Sequence, residues 1–164
     1  MTEENVFVFV KPDAMIKGIY GIILDDIASS GLKLVGAKLV RVTKELAEKH
    51  YEVHKGKPFY EGLIKHITGE FHVDKVMALV YKGDNAIKRM RELAGATHPE
   101  KAGPTTLRGK FGRVTAQDVM ENVVHVSDAP ETAETEIKLW FSPSELTEEV
   151  YPTKKETGEK IIWA

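Results

Sequence analysis

The chain has no cysteine among its 164 residues. Disulfides, thiolate metal sites and cysteine nucleophiles are therefore excluded, and the composition suits a reducing compartment, so a cytoplasmic protein is expected. A long apolar run at the N-terminus is also missing. Residues 6–10 are apolar but too few for a signal-peptide core or a membrane span, and Glu3 and Glu4 stand where a secretory signal carries bases. No membrane partner is expected. Nor is there an excess of positive charge: 23 basic against 25 acidic residues leave a net −2, which argues against a sequence-independent grip on nucleic acid through a whole-domain field. Finally, the chain contains no G-x-x-x-x-G-K-[ST] and no G-x-G-x-x-G stretch. A phosphate ligand must then be held by local side chains and not by a glycine-rich cradle.

What is present fits one globular domain, 1–164, with 42% hydrophobic residues to fill a core. Residues 6–10, β-branched and aromatic without a break, read as a strand buried on both faces that stops at Lys11-Pro12-Asp13. Ile19, Ile23 and Ile27 recur at helical spacing ahead of Gly31, so 18–29 reads as a helix, followed by a strand over 32–42. Thr43 is a candidate N-cap for a helix that carries Leu46, Ala47, His50, Tyr51 and His54 on one face and ends at Gly56-Lys57-Pro58. A short helix over 59–67, a buried strand over 75–82 and a helix capped by Asp84 come next. Residues 96–111 read as a long loop, of the kind that is usually functional in a compact domain. Residues 122–126 read as a fourth strand, Asp128 and Glu131 as a capping box for the following helix, and 142–164 as a polar tail ending in Ile161-Ile162-Trp163. This order contains β-α-β-β-α-β, an α+β, ferredoxin-like arrangement of a four-stranded antiparallel sheet covered by helices.

His125 is the only histidine embedded in an apparent core strand. A neutral imidazole is a good nucleophile at pH 7, although a histidine among valines is also an ordinary core residue. Such a nucleophile needs its second ring nitrogen held by an acceptor, and Glu136 on the next helix is a candidate as well as an ordinary solvated acid. Lys11 ends a buried strand near a helix N-terminus, and Arg91 and Arg108 have the bidentate geometry that phosphate oxygens accept. His50 and His54, one turn apart, make a poor zinc pair without further ligands and read as a partly exposed helix face. His66, His72 and His98 have no partners that spacing can name.

Taken together, these segments resemble nucleoside diphosphate kinases over about residues 6–141. Lys11-Pro12-Asp13, His50-Tyr51 with Lys57-Pro58-Phe59, Gly95-Ala96-Thr97-His98-Pro99, Thr106-Leu107-Arg108-Gly109 and Glu136-Ile137-Lys138-Leu139-Trp140-Phe141 occur in the family's order. The family's N-x-x-H-x-S-D signature is carried by Asn122, His125, Ser127 and Asp128. The resemblance implies transfer of the γ-phosphate of a nucleoside triphosphate to a nucleoside diphosphate, by a ping-pong route through phosphorylated His125. It implies that Glu136 orients His125 with Ser127 behind it, and that Tyr51 lies near the reacting ring. Lys11, Arg91, Thr97, Arg108 and Asn122 would bind phosphate and ribose, with Phe59 stacking on the base and Leu63 lining the same cleft. It further implies Mg²⁺ held mainly by the nucleotide phosphates, with no protein ligand to name, and a homo-oligomer, tetramer or hexamer, built from a common dimer.

The chain departs from the family's usual pattern in four places. Val126 follows the histidine where glycine is usual, Lys110 replaces the acid of R-G-D-F, and Val53 stands two places after Tyr51 where many members have an acid. The short S-G-P is expanded to residues 69–75, expected as an altered hairpin or loop. Two other classes are compatible with the sequence: a binding module on a ferredoxin-like fold, and an inactive relative kept for an interaction. Against a nucleic-acid module, residues 108–114 only faintly resemble an RNP1 pattern and the chain is net acidic.

Overall fold

A computed structural model describes residues 3–116, 119–155 and 161–163. Strand β1 (Glu3–Val10) pairs antiparallel with β3 (Lys75–Asp84) on one side and with the short β6 (Val124–Val126) on the other. Strand β2 (Lys33–Arg41) completes the sheet in the order β2-β3-β1-β6, the expected ferredoxin-like topology. The unbroken apolar run of β1 is explained by burial on both faces. Val6, Val8 and Val10 face one layer with Ile23, Ile27, Met90 and Ala133, whereas Phe7 and Phe9 face the other with Tyr51, Ile64, Ile137 and Trp140.

The helices supply apolar residues at helical spacing. Helix α2 (Tyr20–Ala28) buries Ile23 and Ile27, α5 (Ala86–Ala94) buries Ala86, Ile87, Met90 and Ala94, and α7 (Pro130–Trp140) buries Ala133, Ile137 and Trp140. Helix α3 (Lys44–His50) starts where expected, with the Thr43 hydroxyl accepting from Leu46 N. Helix α4 (Tyr60–Ile67) follows. Among the described residues no helix is long and apolar enough to cross a membrane.

Several expectations need correction. The helix expected over 18–29 is α2, but a short helix that was not expected, α1 (Pro12–Ile16), precedes it: Pro12 opens α1, and Gly18, with φ of +69°, separates the two. Asn85, left-handed at φ 50°, and not Asp84, is the N-cap of α5, since Asp84 is still paired in β3. The capping box at Asp128 is not formed: Pro130 takes the first helical position, so Ala129 is the N-cap and the D-x-x-E register falls one residue short. The expected loop over 96–111 ends in a helix α6 (Leu107–Phe111) capped by Thr106, whose hydroxyl accepts from Gly109 N. A hairpin of β4 (Arg113–Val114) and β5 (Met120–Glu121) then leads to the site strand. The expected polar tail folds back on the domain. Thr147 N donates to Val35 O at 2.9 Å, and strands β7 (Thr153–Lys155) and β8 (Ile161–Trp163) pair, with Trp163 Nε1 donating to Phe141 O at 2.8 Å. Of the tail, residues 156–160 and Ala164 lie outside the described residues.

Candidate active site

Antiparallel pairing sets His125 opposite Phe9 in the register, and the two rings stack at 4.8 Å. Because β6 is an edge strand, the His125 side chain stays 22% exposed while the strand beneath it is buried. Nε2 lies 2.7 Å from Glu136 Oε1, reached from the buried face of α7. A carboxylate only accepts, so the ring proton of this pair belongs on Nε2 and Nδ1 keeps a free lone pair. Among the described residues Nε2 is the only hydrogen-bonded nitrogen of this ring. Glu136 is itself fixed, since the Ser127 hydroxyl donates to its Oε2 at 2.5 Å while accepting from Phe7 N at 3.1 Å.

The residue after β1 is Lys11, whose buried ammonium donates to Asn122 Oδ1 at 2.8 Å; Asn122 Nδ2 donates in turn to Thr97 O at 2.9 Å. Burial pulls the Lys11 ammonium down to about 8; Asp13 opposes that fall and the Arg108 charge adds to it. Arg108, on α6, uses NH1 and NH2 on the carbonyls of Gly95 (2.8 Å) and Val124 (3.0 Å), which leaves its buried Nε–H without a partner. Burial and then the Arg91 charge bring it down to about 10. The Arg91 side chain lies on the solvent side of α5 and meets Arg108 and Asp128 through charge alone. Tyr51 is buried beside the ring cluster, its phenol pushed upward by burial and then by the Glu136 charge. Phe59 is 53% exposed at the start of α4, its ring 5.5 Å from that of His54, and Leu63 lies one turn on, half-buried. Hydrogen bonds thus join Lys11 to Asn122 and Asn122 to the Thr97 carbonyl, and Arg108 to the strand that carries His125, while Phe59 stays open to solvent.

Spacing did not reveal His50, which is fully buried and not on a partly exposed face; its Nδ1 accepts from Trp140 Nε1 at 3.2 Å, and its ring meets that of His125 edge-on at 4.6 Å. Burial and then the neighbouring His125 hold it neutral well below the usual histidine range. Nor did it reveal Asp13 or His66, whose side chains are hydrogen-bonded at 3.0 Å, or Glu121. Glu121 is buried against Lys17 and Arg113 at 2.7 Å each, with His72 of the expanded segment 2.9 Å away. Burial raises its pKa, but the Arg113 and Lys17 bonds outweigh that and hold it at about 2. Residues 69–74 of the expanded segment therefore form a loop tied through His72 to the strand just before Asn122, and Lys75 already belongs to β3. Val53, where an acid is usual, is 78% exposed.

The chain matches the nucleoside diphosphate kinase family over residues 4–146. It is 46% identical over 145 residues to a nucleoside diphosphate kinase of Pyrococcus furiosus, covering 88% of this chain and 87% of that one. In structure it is similar to the Halobacterium salinarum nucleoside diphosphate kinase in complex with CDP, with 39% identity, TM-score 0.81, and 90% and 93% of the two chains covered. It is also similar to the Borrelia burgdorferi enzyme in a transition-state mimic with vanadate and ADP, with 30% identity, TM-score 0.80, and 90% and 92% covered. Fold, site and relatives define a phosphotransferase acting between nucleotides. The chain belongs to the nucleoside diphosphate kinase family.

Proposed function

We propose that this protein moves the γ-phosphate of a nucleoside triphosphate to a nucleoside diphosphate in two displacements at one site, with His125 as the covalent carrier. The observation that carries this reading is the ring of His125, tethered through Nε2 to Glu136 and Ser127, on a strand whose flanking residues bind two cations: Asn122 accepts from Lys11 and the Val124 carbonyl from Arg108. In the first displacement the Nδ1 lone pair attacks the γ-phosphorus, an N–P bond forms, and the bond to the β-phosphate bridging oxygen breaks, its electron pair leaving with the diphosphate. In the second, a terminal oxygen of the acceptor diphosphate attacks the same phosphorus and the lone pair returns to Nδ1. The Nε2 proton stays in place throughout, and Glu136 stabilises the positive charge that the ring acquires while phosphorylated.

Lys11, Arg91 and Arg108, with the Thr97 loop, meet the charge on the transferring group, the main catalytic task in such transfers. Tyr51 borders the reacting ring. Lys11 and Asn122 hold the sugar, and Phe59 with Leu63 takes the base by stacking, which every base permits. Mg²⁺ would be held mainly by the nucleotide phosphates and would supply charge neutralisation there, with no protein side chain as its ligand. The protein fits that role, because Glu136 and Asp13 are already hydrogen-bonded and Val53 offers no oxygen. A homo-oligomer, tetramer or hexamer of dimers, is supported by exposed Ile16, Tyr20 and Ile22 on α1 and α2 and by Leu34 and Leu39 on the sheet's edge strand β2.

Incubation with γ-labelled ATP and Mg²⁺ should leave acid-labile, base-stable label on the wild type and none on His125→Ala, and added GDP should remove it as labelled GTP. Steady transfer between nucleotides by an enzyme that never carries label would reject the carrier.

A further inference from the structure

Val123, two residues before His125, has φ of +61°, a conformation that β-branched residues very rarely adopt. Val124 N donates to Asn122 O at 2.7 Å, so Val123 is the centre of a γ-turn of positive φ, the rare and strained form. This turn aims the Asn122 side chain at Lys11 and sends the next three residues along the edge of β1 as the strand that bears His125. Such strain persists only where surrounding structure over-determines it.

The surrounding structure is Lys11-Pro12-Asp13. Lys11 N donates to Val123 O at 2.8 Å, and Asp13 Oδ2 accepts from Val123 N at 3.1 Å, so both polar groups of the strained peptide unit are held by one tripeptide whose middle residue has a fixed φ. Asp13 is wholly buried, and its other oxygen lies 3.0 Å from His66 Nε2 on α4. Burial pushes the Asp13 carboxyl up, but the His66 bond and the Lys11 charge more than offset it, so it is an anion that accepts and His66 Nε2 is the donor. Among the described residues His66 Nδ1 has no hydrogen-bond partner, so the bond to Asp13 is the one its buried imidazole supplies there.

Resting on the transfer reaction proposed above, we infer that Asp13 and His66 are positioning residues, a clamp that holds the Val123 γ-turn and thereby sets His125 and Asn122 for transfer. Neither touches substrate. Their effect passes through the backbone of one residue, and so it depends on that residue being strained.

The test is steady-state transfer between nucleotides, which can be read whether or not the phosphate rests on His125, so failure of the clamp and failure of the carrier are separable. His66→Leu is expected to lower kcat about ten-fold with KM changed less than about two-fold, the size of effect that release of one strained residue allows. His66→Gln, whose amide N–H can reach Asp13 from a similar position, should keep most of the activity. In a Val123→Gly background, where positive φ carries no steric penalty, His66→Leu should lose only about two-fold relative to Val123→Gly itself. Equal losses in both backgrounds, or a His66→Gln as slow as His66→Leu, would overturn the clamp. Should His66→Leu fail to fold, Asp13→Ala, which removes both bonds, makes the same comparison in the two backgrounds, with unequal losses supporting the inference and equal losses rejecting it.

Discussion

Lys11 is the residue whose environment speaks most directly to pH. Its ammonium is buried at the end of β1, with Asp13 as counter-charge and Arg108 opposing it, and it titrates at about 8. A lysine lowered by burial is charged below that value and neutral above it. Since the charged form attracts phosphate, kcat/KM, which reports the free enzyme, should fall as pH rises through about 8. A bound nucleotide favours the ammonium, so kcat itself should bend at higher pH. A pH–rate series on kcat/KM checks this; a profile flat from pH 7 to 9.5 would show that the Lys11 charge is not used. What sets this lysine apart from the others is not local in the sequence: it is a bond to Asn122, 111 positions away.

Among the elements, those with strong periodicity were legible, because apolar spacing reports which face is buried. The sheet strands and helices α2 to α5 and α7 fall close to where the pattern places them. Their ends are less legible. Proline at the first helical position moved the start of α7 past Asp128, and α1, five residues long and separated from β1 by Lys11 alone, is too short to show a helical period. The site divides in the same way. His125, Glu136, Lys11, Arg108 and Asn122 received site roles and do lie close through their hydrogen bonds, whereas Asp13, His50, His66 and Glu121 received none, because each acquires its role from a partner distant in the chain. The loop that carries Thr97 shows a purely local requirement. Gly95 has φ of +84°, and a Cβ there would stand 2.3 Å from Thr106 Oγ1, the atom that caps α6. Gly95→Ala should therefore lower stability by about 2 kcal/mol through backbone strain and disturbance of the cap, measurable by urea unfolding; a change below about 0.5 kcal/mol would mean the loop yields without penalty.

For the whole molecule, Ile16, Tyr20 and Ile22 on α1 and α2 and Leu34 and Leu39 on the edge strand β2 are left at the surface, while the C-terminal residues strap across β2 through Thr147. If copies of the chain cover these residues, Ile22→Arg with Leu39→Arg should reduce the mass in solution, read by light scattering, and an unchanged mass would reject them as the contact. A different consequence follows from His125 lying mid-strand, its neighbours Val124 and Val126 in register with Val10 and Val8. Some carriers of activated groups swing on long arms between workstations. This one is riveted to the sheet, so under the proposed double displacement the traffic must be in nucleotides: one departs before the other docks, and a diphosphate that parks on the unloaded enzyme blocks the berth. Turnover should then slow at high concentrations of the acceptor, an inhibition built into a carrier that cannot travel.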